Sequence, residues 1–335
     1  MRANTKKHFV LFSLSIGLLL IASLGGAQVG TRGKLPGGRA VSSAAQLEKH
    51  QAMTQPSSSF NFTLLNYPGT LATSLQAINK GATTSKVELV GGYGTETSSG
   101  FLARVSGTKS LIETYQTVNV PHGIQTFALG VNDLGNIVGQ YQDSSGIWHG
   151  YEESAGKFTE INVPFAGTTG TFAVSMNNSG EIVGLYNLGS GGGYGFTLIA
   201  GTYTSINYPG ATTATASDIN NNGDIVGQYS DTSGTVHGYL LSGGTYTSID
   251  FPGATWTTAY GINDAGDIVG SYCTTSECVS TEEGMQGFLL SGGTFTTIAV
   301  PNEPVTAATA INNAGVIVGF YEDAAGVIEG FMATP

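Results

Sequence analysis

Basic charge is what this chain has least of. Its 335 residues hold 12 Lys and Arg against 23 Asp and Glu, a formal charge of −11. Beyond Lys109 the only basic residue is Lys157, while twenty acidic residues follow. Such a surface cannot neutralise phosphates, so nucleic acid is excluded as a partner. Anionic lipid and anionic sugars are disfavoured on the same ground. Histidine is also sparse, with 5 residues. His8 and His50 fall in the N-terminal region, and His122, His149 and His237 lack metal-ligand spacing. No metal or cofactor is expected. A GxSxG nucleophile elbow is missing from any strand-to-helix context.

Long apolar runs are equally scarce. The one present, Phe9 to Leu24, follows Arg2, Lys6 and Lys7 and precedes the small residues Gly25-Gly26-Ala27. Residues 1–27 therefore read as a secretory signal. The run is short of the ~20 residues of a spanning helix, so an exported mature protein without a membrane span is expected. Residues 28–59 are rich in Gly, Ser, Ala and Gln, show no periodicity, and read as a disordered linker. Helical periodicity is missing after the N-terminus. With 50 Gly and 10% charged residues, the composition suits short strands joined by tight turns.

What is present in abundance is repetition. A stretch such as INNNGDIVG at Ile219 recurs six times, anchored by Asn79, Asn132, Asn177, Asn220, Asn263 and Asn312. The spacings are 53, 45, 43, 43 and 49 residues, and a period in the 40s signals one supersecondary unit repeated. The unit around Asn220 shows the plan. Thr213 to Asn220, Asp224 to Ser230, Thr235 to Leu241 and Thr245 to Phe251 read as four strands. Asn220–Gly223 and Asp231–Gly234 have Asn or Asp first and Gly fourth, which suits type I turns with a bulge. Pro252-Gly253 ends the unit.

Other columns keep register. Gly-aromatic pairs mark each third strand: Gly100-Phe101, Gly150-Tyr151, Gly195-Phe196, Gly238-Tyr239, Gly287-Phe288 and Gly330-Phe331. Four residues before the Asn stand Ala128, Ala173, Ala216, Ala259 and Ala308, with Leu75 in the first unit. Two before it, small residues prevail. Crowding where innermost strands converge accounts for small side chains. Four short antiparallel strands in about 40–45 residues is the size of a β-propeller blade.

The array opens at Phe60 with a fourth-strand pattern and stops at Pro335 after a third strand. Phe62 to Tyr67 is thus expected to complete the final unit beside Val327 to Ala333. The expected fold is all-β: a six-bladed β-propeller of four-stranded antiparallel blades over residues 60–335, closed by that N-terminal strand. An open solenoid is the alternative architecture. The expected oligomeric state is monomer.

The pattern IN-x-x-G-x-IVG-x-Y, then His-Gly-Tyr and YT-x-I-x-PG, resembles the HAF-type extracellular repeat family of bacteria. The nearest tripeptides are His149-Gly150-Tyr151 and His237-Gly238-Tyr239; elsewhere Ser99, Tyr194, Gln286 or Glu329 replaces the His. The resemblance implies an exported repeat protein, and it implies no established catalytic site.

Cys273 and Cys278, in CTTSEC, read as a local disulfide in an exported chain. Asp218 to Gly223 matches the first half of a calcium loop, yet Tyr229 stands where the twelfth-position Glu belongs, and turn chemistry accounts for the rest. Tyr141 to Trp148 resembles the Asp-box turn of sialidases, but its Asp and Gly are three apart instead of two. Arg104 is the only Arg in the repeats, which excludes an arginine cluster for a sialic acid carboxylate. Glu181, Asp224 and Asp267 share one repeat position and read as a solvated rim more than a catalytic pair.

A propeller binds mostly on the face built from the fourth-to-first and second-to-third strand loops. That face would carry His122, Phe165, Thr213 and Trp256 from the first loop set, and Asp143, Trp148, Asp231 and the cysteine loop from the second. Aromatic and hydroxyl side chains with few charges suit a neutral glycan or a peptide. Packing of Trp148 and Trp256 between units is the competing reading. The expected function is a secreted, non-catalytic binding or scaffold module. A carbohydrate-active hydrolase or lyase and a cell-surface adhesion protein are the alternatives.

Overall fold

A computed structural model describes residues 60–334 apart from 71, 82–86, 95–98, 107–110 and 190–191. The expected leader, 1–27, and linker, 28–59, lie outside the described residues. Among those described, the regular elements are short strands and one six-residue helix, Ser276–Thr281.

The strands form three four-stranded antiparallel sheets and one twelve-stranded sheet that divides into three runs of four antiparallel strands, which gives four strands per repeat, hereafter units one to six. Their first strands are Thr73–Ile78, Gln125–Val131, Thr168–Met176, Thr213–Ile219, Trp256–Ile262 and Val305–Ile311. Single parallel bridges, Trp148 with Gly170 and Tyr194 with Ala214, join the third strands of units two and three to the first strands of units three and four. Unit six has three strands of its own and takes Asn61–Leu65 as its fourth. That strand pairs antiparallel with Ile328–Thr334, from Asn61 opposite Thr334 to Leu65 opposite Gly330.

Unit four shows why the sequence folds this way. Asn220 Oδ1 accepts from the backbone N–H groups of Asn222 (3.0 Å) and Asp224 (2.9 Å). Gly223 supplies the left-handed φ of +82° that the turn requires. Asp231 Oδ1 does the same for the N–H groups of Ser233 and Thr235. At the third turn Gly243 and Gly244 both have positive φ, as a two-residue primed hairpin demands.

The glycine and alanine columns turn out to be parts of one packing device. A Cβ on Gly227 would lie 2.0 Å from the Thr215 carbonyl oxygen and 2.9 Å from the Tyr239 ring. The bare backbone there lets the third-strand aromatic lie across the sheet, and Tyr239 Oη donates to the Thr215 carbonyl at 2.9 Å. A Cβ on Gly238 would meet the backbone N of Ala259, in the next unit, at 3.2 Å. Gly330 of unit six is crowded in the same way by Leu75 of unit one, its added Cβ lying 3.0 Å from the leucine Cγ. The core is accordingly spread over the junctions between successive sheets. One buried cluster joins Val90 and Leu102 to Ala128, Ile137 and Tyr151, and another joins Leu75, Ile78 and Phe101 to Val318 and Met332.

The anchoring asparagines reach further than their own turns. All six are at most 5% exposed. Asn132, Asn177, Asn220 and Asn263 each donate from Nδ2 to the carbonyl of the anchoring Asn in the following unit, at 3.0–3.3 Å. A second belt runs one residue along. The N–H groups of Asp133, Asn178, Asn221 and Asp264 donate to the Oδ1 atoms of Asn178, Asn221, Asp264 and Asn313. Asn313 N–H then donates to the Lys80 carbonyl, and Gly81 N–H to Asp133 Oδ1, so the belt returns to its start.

Candidate functional site

Each first strand carries a β-bulge three residues before its Asn. The pairing register slips there in all six units, for instance between Ala216 and Asp218. A bulge re-aims the extra side chain out of the ladder. The six bulged residues, Gln76, Leu129, Val174, Ser217, Tyr260 and Thr309, all line one cavity between the first strands. The cavity measures about 60 Å³, room for a handful of water molecules. The small residues two before the Asn meet where neighbouring first strands converge, with Gly130 packed on Ser175 and Gly261 on Ala310, and Ala77, Ser175 and Ala310 also line the cavity.

Two charged residues that break their repeat columns meet at this cavity. Lys80 of unit one donates from Nζ to Asp218 Oδ2 of unit four at 2.5 Å and to the Ile262 carbonyl of unit five at 2.6 Å. Asp218 also accepts from Ser175 Oγ of unit three and from the N–H groups of Ile219 and Ile262. Both side chains are under 10% exposed. The residue that matched the start of a calcium loop is therefore held by a lysine.

The expected loop face is assembled only in part. In unit two, Ile124 N–H donates to the Gln142 carbonyl, which sets the His122 loop beside the Asp143–Trp148 turn. Asp143 Oδ1 caps that turn through the N–H groups of Ser145 and Ile147, and these bonds hold its carboxyl below the usual range. The Trp148 ring lies between Phe127 (5.9 Å) and Phe172 (6.2 Å), bridging units two and three. In unit four, Thr212, beside Thr213, bonds from Oγ1 to the Asp231 carbonyl. The Asp231 carboxyl is lowered by Ser233 and by turn N–H groups. Phe165 packs edge-on against Tyr186 in unit three.

Trp256 requires a correction. It is 4% exposed, packed with Cys278, Met285 and Phe320, and offers no ring face to a surface ligand. The cause is the segment after the second strand of unit five. Cys273 and Cys278 form the expected disulfide, with Cα atoms 5.6 Å apart. The helix Ser276–Thr281, capped by Thr275 Oγ1 on Cys278 N–H, and the residues after it fold over the tryptophan. Gly284 N–H reaches the Pro304 carbonyl and Thr306 N–H the Met285 carbonyl, tying this segment to unit six. At the helix C-cap stands Glu282, whose carboxyl is pushed up to about 7 by burial and by Glu322.

The His-Gly-Tyr histidines serve their own sheets. His237 Nδ1 lies 2.6 Å from Asp250 Oδ1, and its ring stacks on Tyr229. His149 repeats this with Asn162 and Tyr141. The rim carboxylates Glu181, Asp224 and Asp267 accept from the Nδ2 groups of Asn177, Asn220 and Asn263. Among the described residues no group of three or more His, Cys, Asp or Glu could hold a metal ion, and no helix is long and apolar enough to cross a membrane.

No protein-family model and no curated protein matches this chain. Solved structures do resemble it. Trypanosoma rangeli sialidase overlaps with a TM-score of 0.51 at 9% identity, over 78% of this chain and 55% of its own. A putative TolB from Agrobacterium tumefaciens gives 0.50 at 12% identity, over 78% and 90%. TolB from Acinetobacter baumannii gives 0.50 at 13%, over 80% and 65%. These neighbours are β-propellers. At such identities the likeness shows the fold alone: an all-β chain of the propeller kind.

Proposed function

We propose that this chain is a secreted, non-catalytic six-bladed β-propeller of the HAF-repeat type, acting as a binding module for a neutral glycan or a peptide. Six units of four strands, a hydrogen-bond belt that returns to its first unit, and an N-terminal strand in the sixth unit support the closed six-bladed reading. The disulfide and the basic-then-apolar N-terminus support export.

The observation that carries the binding reading is an exposed apolar patch on the loop face of unit two. Ile124 is 52% exposed and Ile147 47%, and both lie beside the half-buried Trp148. Large apolar side chains exposed together mark interaction sites more often than chance. The exposed part of a tryptophan ring beside exposed apolar side chains suits the apolar face of a sugar ring or an extended peptide. Glycan and peptide arrays probed with the wild-type protein test this. A hit weakened at least tenfold by Trp148→Ala is the expected result, and a protein that recognises nothing on either array contradicts it.

One observation favours a carbohydrate-active enzyme instead. Glu282, raised to about 7, has a buried Oε2 without a hydrogen-bond partner and feels the charge of Glu322. A raised acid beside a second carboxyl is the pattern of glycoside hydrolysis. Turnover of a neutral polysaccharide that Glu282→Gln abolishes would establish that reading.

A further inference from the structure

Units two, four and five enter their first strands on the same backbone frame. The N–H groups of Ile124, Thr212 and Thr255 donate to the carbonyls of Gln142, Ser230 and Cys273, at the ends of the second strands. In units two and four the chain then makes the same turn, with the N–H of Asp143 donating to the Ile147 carbonyl and that of Asp231 to the Thr235 carbonyl. Differences in side chain between these loops are therefore not differences in what the backbone needs.

Unit two departs from its siblings at three positions. Ile124 stands where they have Thr212 and Thr255, and Ile147 where unit four has Thr235. The Ile124 position is exposed in all three units, so a hydroxyl suits it and an isoleucine gains nothing there from folding. His122 stands where they have Gly210 and Gly253. All three take a left-handed φ, +80° and +79° at the glycines and +69° at His122, a conformation that a side chain with a Cβ adopts at a cost. The three departures fall on one loop pair, beside Trp148. Backbone strain and exposed apolar groups kept together mark a surface that is used.

The chemistry around this patch favours one kind of partner. The Trp148 ring is packed between Phe127 and Phe172, so it offers an edge and not the open face on which a sugar stacks. The two isoleucines offer aliphatic surface, which has no hydrogen bonds for sugar hydroxyls. The border of the patch is anionic. Asp143 Oδ2 lies 3.4 Å from His149 Nε2, and Glu160 Oε2 lies 3.8 Å from its Nδ1, both carboxyls partly exposed. The His149 ring stacks on Tyr141, whose own ring would lie 3.3 Å from a Cβ on Gly123 in the His122 loop. The nearby charged or titratable groups are thus these two carboxyls, the two imidazoles and the Tyr141 phenol. Lys157, the only Lys or Arg beyond Lys109, pairs with Ser154, which bonds to Asn136 at the opposite, asparagine end.

We infer that the unit-two patch, the surface on which the binding reading rests, docks an extended apolar peptide that carries a Lys or Arg, in preference to a glycan. The apolar side chains of the peptide lie on Ile124, Ile147 and the Trp148 edge, and its cation meets Asp143 and Glu160. An extended chain turns alternate side chains to one side, so apolar residues at alternate positions are the expected signature. An acidic peptide meets like charge at the border and is rejected.

Glycan arrays and arrays of random peptides, both probed with the folded full-length protein, test this. Peptide hits are expected to share alternate apolar residues and a Lys or Arg. Replacing that cation by Glu in the resynthesised peptide should weaken binding at least tenfold in fluorescence anisotropy. Combining Ile124→Thr, Ile147→Thr and His122→Gly installs the sibling residues at all three positions. This variant should melt no lower than wild type and bind the peptide at least tenfold more weakly. Glu160→Gln, a change at an exposed side chain, should weaken the cationic peptide severalfold and leave its norleucine analogue unchanged. Two blank arrays would sink the binding reading and this inference together. Hits confined to glycans would leave the binding reading standing and overturn this inference alone. Peptide hits as rich in Asp and Glu as in Lys and Arg, or unchanged peptide affinity in the folded triple variant, would do the same.

Discussion

The two ends of the first strands are built on opposite terms. At the asparagine end units two to six repeat the same turn, and its polar groups bond to the unit beside it. At the other end the loops differ in length and content from unit to unit. One holds a disulfide and a helix, another a half-buried Trp148 beside an exposed Ile147. Between the two ends the bulge turns six unlike side chains toward a shared space. Within one chain, uniform positions mark what holds the sheets together, and varied positions mark where the units have been given separate tasks. Lys80 and Asp218 are instructive exceptions. They sit at the uniform end, break their columns, and do so as a pair.

That contrast can be broken most severely at the pair. Lys80→Met leaves Asp218 buried without its cation and should cost about 3–5 kcal/mol in denaturant unfolding. Adding Asp218→Ala, which restores a small residue of the kind found in the other units, should recover most of that loss. A double variant that costs the sum of the Lys80→Met and Asp218→Ala variants would show that the pair is not coupled. Next comes the uniform belt. Asn263→Ala removes the acceptor of two turn N–H groups and the donor to Asn312, all in a buried setting, and should cost about 2–3 kcal/mol.

The varied end gives smaller effects. Glu282 has a folded-state pKa near 7, above the ordinary carboxylate value of about 4.3. Between those values the folded state binds more protons than the unfolded, so stability falls as pH rises from about 4 to 7. The contribution is on the order of 2 kcal/mol, and Glu282→Gln should flatten this slope when unfolding is followed across that range. Trp148→Ala is expected to cost about 2 kcal/mol, because the partly buried ring packs between Phe127 and Phe172, while array binding is lost.

Much of this was legible in the residues. The period, the Asn-x-x-Gly and Asp-x-x-Gly turns and the four-strand plan follow from local chemistry that any short window displays. The pairing expected for Phe62 to Tyr67 beside Val327 to Ala333, observed as Asn61–Leu65 with Ile328–Thr334, followed from a fourth-strand pattern with no unit before it and a third strand with none after it. The bulge was not legible, because alternation assigns residues to faces only while the register is unbroken. The asparagines could be read as turn formers, but Oδ1 makes the turn while Nδ2 makes the bond to the next unit, and the second task leaves no separate mark. Trp256 was misplaced because its cover comes from a helix of six residues, too short for a period and fixed by a cap and a disulfide. Lys80 sits in the most divergent repeat, and its partner is 138 residues away.

Amide hydrogen exchange of residues 61–65 tests the central claim most directly, namely that the strand opening the repeats belongs to the last sheet. The ladder amides of Asn61–Leu65 are expected to exchange as slowly as those of Thr213–Ile219. Exchange at free-peptide rates in 61–65, with Thr213–Ile219 still protected, would contradict it.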